Sequence, residues 1–155
     1  VIPAVETLLP HRGAMLLVES VLEVDAQSIE CRGRILAAHP TVAAGRAPAI
    51  LGLEMGAQAA GLHAALQARA ADPAPEPVGE DGKGQPAAAP RLGYLVGIRQ
   101  ARFDESHLPV DVPLRVTAKT AGALAALALC EITVRREGES ATRPLVQGTV
   151  STYAL

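Results

Sequence analysis

Residues Ile50 to Ala68 read ILGLEMGAQAAGLHAALQA, a run that is apolar or small at nearly every position and is interrupted early by Glu54 and Gln58. A helix that is apolar almost all round is enclosed by other structure, so this stretch predicts a core helix. At helical pitch Glu54 and Gln58 are i and i+4 and share one face. A carboxylate enclosed in this way costs several kcal/mol unless it is hydrogen-bonded, shifts its pKa or faces a ligand cleft. Two readings of Glu54 follow from the local pattern alone. It sits at the solvent-facing end of the helix, satisfied by water or first-turn amides, or it is a functional acid. Pro48 lies just ahead of the helix, where its missing N–H costs nothing, and the pattern fades near Arg69.

The chain on either side of the helix reads as strand. Val5 to Leu9 is a short apolar turn, and Pro10 to Gly13 is a loop. Met15 to Val24 is β-prone and ends in a turn at Asp25, Ala26 and Gln27. Ser28 to Leu36 alternates, with Ile29, Cys31, Gly33 and Ile35 on one side and Glu30, Arg32 and Arg34 on the other, so the two runs predict a hairpin. Ala37 to Pro48 is an ordered loop containing His39. After the helix, residues 70–90 are rich in Pro, Gly, Ala and acidic side chains and predict a mobile excursion. Strand signals then resume at Leu92 to Phe103, Leu114 to Lys119, Ala123 to Arg135 and Leu145 to Tyr153. Two strands, a long helix and about four more strands make an α+β arrangement with the helix on one sheet face.

The 155 residues fit one folding unit. Hydrophobic residues make up 49% of the chain but only three are aromatic, so the core is aliphatic and alanine-rich, and oligomerisation would supply further burial. A formal charge of -2 without a basic patch argues against nucleic acid as a partner. Cys31 and Cys130 have neither metal-site nor redox-motif spacing and read as buried free thiols. No stretch has the form of a signal peptide or a membrane span, which predicts a cytoplasmic protein not bound to membrane. No metal motif and no glycine-rich phosphate loop is present, so no cofactor is expected.

The segment LLPHRGAMLLVESVLEVD, Leu8 to Asp25, resembles the opening of the hotdog-fold 3-hydroxyacyl-acyl-carrier-protein dehydratases, with its Leu-Pro-His-Arg turn followed by an apolar strand. Glu54-Met55-Gly56-Ala57-Gln58 resembles the Glu-x-Met-Ala-Gln helix motif of that family, with Gly56 where the family has methionine. Tyr94 to Ile98 with Ala101-Arg102-Phe103 resembles its third strand. The dehydratases of aryl-polyene-type pathways are a closer likeness still.

The resemblance implies a hotdog fold, an antiparallel sheet wrapped around one long central helix, with two subunits joined edge to edge and the active site at their interface. Glu54 matches the helix acid and would protonate the departing 3-hydroxyl, while a histidine acting as general base removes a proton from C2 of the thioester. Gln58 would support the site, and backbone amides near Ala49 and Ile50, at the helix start, would hold the thioester oxygen. The family sets its histidine in Gly-His-Phe-Pro-Gly. Here His39 is followed by Pro40 and Thr41, and Pro48-Ala49 replaces the Pro-Gly before the helix. His39 lies 15 residues before Glu54 (54 minus 39), which matches it to the catalytic histidine. In the other register Pro40 matches a proline upstream of that histidine and the catalytic position is empty.

His11 belongs to the Pro-His-Arg turn and reads as a structural hydrogen-bonding residue. His63, nine residues after Glu54, falls on the opposite helix face, and His107 sits in a polar turn and reads as solvated. Three functions follow. The first is dehydration of a 3-hydroxyacyl thioester on acyl carrier protein to the trans-2-enoyl thioester. The second is a thioesterase of the same fold, and the third a catalytically weak subunit that pairs with an active dehydratase. Homodimer and heterodimer are both compatible with the sequence.

Overall fold

The computed structural model describes residues 2–71, 93–139 and 143–154; the excursion expected at 70–90 lies, from residue 72 on, outside the described residues. Short 3-10 turns at Val5–Thr7 and Gly13–Met15 lead into β1 (Val18–Val24) and β2 (Ser28–Gly33). A two-residue strand β3 (Ala47–Pro48) precedes α1 (Leu51–Ala71). There follow β4 (Gly93–Phe103), the two-residue β5 (His107–Leu108), β6 (Leu114–Leu124), β7 (Leu127–Arg136) and β8 (Val146–Ala154). Six of the strands form one antiparallel sheet in the order β1-β2-β6-β7-β8-β4, with α1 packed across its face.

The β1–β2 hairpin forms where the sequence places it, because Asp25 organises the turn. Its Oδ1 accepts the Gln27 and Ser28 amides, both at 2.7 Å, and Ser28 Oγ donates to Oδ2 at 2.9 Å. The helix approaches the sheet closely because glycines face it. A β-carbon on Gly52 would meet Val146 Cγ2 at 2.7 Å, and one on Gly33 of β2 would meet Met55 Sδ at 2.7 Å. Between these contacts Leu53 and Leu62 are fully buried, each contributing about 1.5–3 kcal/mol of hydrophobic stabilisation. Cys31 and Cys130 are free and buried in β2 and β7.

The outer face of the sheet is charged in an ordered way. Arg32, Arg115 and Arg135 stand opposite one another across three strands, an arrangement that alone would be repulsive. Glu137 accepts from Arg32 and Arg115, and Glu30 from Arg115 and Arg135, so a carboxylate sits between each pair of guanidiniums.

Two expectations are corrected. The apolar run Ala123 to Arg135 is not one strand: Ala123 and Leu124 end β6, Ala125 and Ala126 make a tight turn, and Leu124 pairs with Leu127. Ala125 adopts φ 52° without being glycine, asparagine or aspartate, so the turn carries no residue signal. His107 is not in a polar turn. It lies in β5, partly buried, where Ala47 pairs with Leu108 and Pro48 with His107, a bridge too short to show periodicity.

Candidate active site

The site is assembled by Gln58. Its side chain is 2% exposed, and its carboxamide is fully engaged. Oε1 accepts the Leu17 amide at 2.9 Å, and Nε2 donates to the Met15 carbonyl at 2.9 Å and to Glu54 Oε1 at 3.1 Å. One helix residue thereby fixes the entry of β1 against α1. Both polar atoms of Gln58 are therefore engaged within the chain.

The clamp brings the preceding turn over the helix. Arg12 Nη1 donates to the carbonyls of Leu9 (2.6 Å) and His11 (2.7 Å), and Gly13 takes the left-handed φ of 56° that glycine adopts without strain. His11 Nε2 then lies 3.2 Å from Glu54 Oε1. The carboxyl of Glu54 is held below its ordinary range, first by the hydrogen bond from His11, with help from Gln58 and from the charges of His11 and His39, and against the opposing effect of burial. At neutral pH Glu54 is therefore a carboxylate. Both donors use Oε1, and Oε2 has no hydrogen-bond partner among the described residues.

His39 is 3% exposed, in the turn between β2 and β3. Its Nδ1 lies 2.9 Å from Thr41 Oγ1 and receives the Thr41 amide at 3.3 Å. A backbone N–H can only donate, so Nδ1 is the unprotonated nitrogen and a neutral His39 carries its proton on Nε2. Nε2 is buried and has no partner among the described residues. In this tautomer residue 39 presents a hydrogen-bond donor at Nε2. No hydrogen bond joins His39 to Glu54 among the described residues; the protonated form of His39 would favour the Glu54 carboxylate through its charge.

At the helix start the amide of Ala49 donates to the Ser106 carbonyl at 3.1 Å, so it is not free for a ligand as expected. The amides of Ile50 and Leu51 make no hydrogen bond among the described residues, and Ile50 is 51% exposed. His63 lies away from this site, donating through Nε2 to the Asp25 carbonyl at 2.8 Å and tying the helix to the hairpin turn. Among the described residues no group of three His, Cys, Asp or Glu side chains is placed to hold a metal, and no helix is long and apolar enough to cross a membrane.

Glu54 and Gln58 meet as their i, i+4 spacing predicts, whereas His11, read from the sequence as a structural residue of the turn, is the partner of the acid. The signal was present in the Pro-His-Arg turn directly ahead of a strand that Gln58 anchors.

Residues 3–154 match the profile of a family described as ApeP-like, ApeP dehydratase. The chain belongs to the ApeP-like dehydratase family. No curated protein sequence matches it significantly. Among solved structures, the ApeP-like chain is similar to the dehydratase heterocomplex ApeI:P from Xenorhabdus doucetiae, at 22% identity over 99% of this chain and 91% of that one, with a TM-score of 0.78. An uncharacterised protein, PH1136 from Pyrococcus horikoshii, aligns over 99% of this chain and 95% of its own at 18% identity and a TM-score of 0.59. A hypothetical thioesterase with coenzyme A from Streptococcus pneumoniae aligns over 88% and 84% at 8% identity and 0.56. At these identities the structures establish the hotdog fold, and the family match establishes that this ApeP-like chain is a dehydratase.

Proposed function

We propose that this dehydratase removes water from a 3-hydroxyacyl thioester carried on acyl carrier protein, giving the trans-2-enoyl thioester, with Glu54 and His39 as its catalytic residues. The observation that carries this reading is the division of the Glu54 carboxylate. Oε1 is held by two donors and Oε2 is free, so one oxygen is fixed and the other is available to a substrate proton.

In the proposed step Oε2 takes the C2 proton and the electron pair moves onto the thioester carbonyl. The Ile50 and Leu51 amides and the His39 Nε2–H stabilise the resulting enolate. As the enolate collapses to the C2–C3 double bond, the C3–O bond breaks. Glu54, now a carboxylic acid, returns the proton to the departing hydroxyl, which leaves as water. Base and acid are thus the same residue in succession, and the carboxylate is regenerated with no net proton uptake.

A second chain is part of this reading. The relative from Xenorhabdus doucetiae is by its title a heterocomplex. Here β4 is a sheet edge unpaired among the described residues, with Val96 56% and Ile98 43% exposed. We propose that another hotdog subunit, identical or not, pairs with β4.

The test is an assay of hydration and dehydration with short enoyl and 3-hydroxyacyl thioesters, run with Glu54→Gln and His39→Ala. Turnover by the wild type and its loss in both variants supports the reading. Release of free thiol identifies a thioesterase instead. An inert wild type that releases no thiol assigns the chain the part of a subunit whose activity needs its partner.

A further inference from the structure

We infer that His11 is a positioning residue for the reaction: from the turn ahead of β1 it grips Oε1 of Glu54 and so aims Oε2 at the substrate without touching the substrate itself. The inference rests on the proposed dehydratase site.

Three features of the fold support it. His11 reaches Glu54 from 43 residues away (54 minus 11), and its turn is held in place by the two Arg12 contacts, by the left-handed Gly13, and by the Gln58 clamp on Met15 and Leu17 that also fixes the entry of β1. The other ring nitrogen, Nδ1, is buried without a partner among the described residues, and since the Glu54 carboxylate can only accept, Nε2 carries the proton toward it. Finally, Gln58 and His11 converge on the same oxygen at 3.1 and 3.2 Å. One donor leaves a carboxylate free to rotate; two donors from different directions fix its plane and leave Oε2 with a defined direction. The titratable groups that bear on Glu54 are His11, by a hydrogen bond, and His39, by charge alone and only when protonated.

The experiment compares wild type, His11→Ala and His11→Gln, the last keeping a neutral donor. The Glu54 carboxyl is titrated by carbon-13 NMR in each, and kcat and KM are measured separately, with melting curves to confirm folding. His11→Ala is expected to raise the Glu54 titration midpoint and to lower kcat by about 10²-fold with little change in KM. His11→Gln is expected to recover much of kcat. A midpoint that does not move in His11→Ala, or a moved midpoint with unchanged kcat, overturns the inference. If the wild type is inert, the proposed function falls on its own account, and the NMR midpoint alone decides whether His11 holds Glu54.

Discussion

Gly56 of the helix lies directly against Ile132 of β7: a β-carbon at residue 56 would sit 2.8 Å from Ile132 Cβ and 2.9 Å from both of its γ-carbons. Ile132 is branched next to the backbone and cannot swing aside cheaply. This contact accounts for the glycine that replaces the methionine of the helix motif. Gly56→Ala is expected to cost roughly 1–3 kcal/mol of stability by overpacking. Chemical denaturation measures it, and an unchanged midpoint would refute the close approach.

Gln58→Leu keeps the side-chain bulk but strips the Leu17 amide and the Met15 carbonyl of their partner. A loss of roughly 1–3 kcal/mol is expected for each buried group left unsatisfied. Activity should fall further than that loss explains, because the turn carrying His11 is released. Kinetics at a temperature where the variant is fully folded separate the two effects.

The depressed Glu54 pKa sets the pH dependence. A carboxyl whose folded pKa lies below its unfolded value contributes stability that is present above the unfolded value and lost as pH falls through the folded one. The carboxylate proposed as catalytic disappears over the same acid range. The acid limb of kcat/KM, the free-enzyme profile, is therefore expected below the ordinary glutamate value of 4.5. A profile that rises as pH falls toward that value would instead mean that Glu54 must start protonated, and would remove it as the base.

The His39 tautomer is directly observable. Nitrogen-15 NMR of the neutral ring is expected to show a protonated Nε2 and an unprotonated Nδ1, since Nδ1 receives the Thr41 amide. His39→Gln, which retains a donor, should keep more activity than His39→Ala, whose loss is expected at about 10²–10³-fold in kcat. Equal activities would show that the donor has no role.

Burial pushes the Cys31 thiol up to about 12 and raises that of Cys130. Neither is expected to react with a thiol reagent at mildly alkaline pH in the native state, and both should react in denaturant. Rapid labelling of the native protein would contradict the burial of β2 and β7.

The helix and its acid were legible because a polar pair at i and i+4 inside an apolar run has few explanations, and the β1–β2 hairpin because Asp25 and strict alternation mark it. The Ala125–Ala126 turn was not, since its conformation comes from strand pairing on both sides and not from its own residues. The β3–β5 bridge is too short for any periodicity. Within the site, the residue types carried the chemistry but not its direction. Whether Glu54 starts as acid or base depends on His11, and whether His39 donates or accepts depends on the amide of Thr41. The first is a contact between segments whose meeting no local pattern encodes; the second is made within one turn, between residues two apart, where the turn geometry and no residue signal decides it.

The clamp of Gln58 on the Leu17 amide turns the start of the chain into a measuring rod. His11 stands six residues ahead of a fixed point (17 minus 11), so its reach to Glu54 is set by a residue count. Within that interval the length matters more than most identities. Inserting or deleting a single residue between His11 and Leu17 would carry the imidazole off the carboxylate while every strand and the helix kept its place.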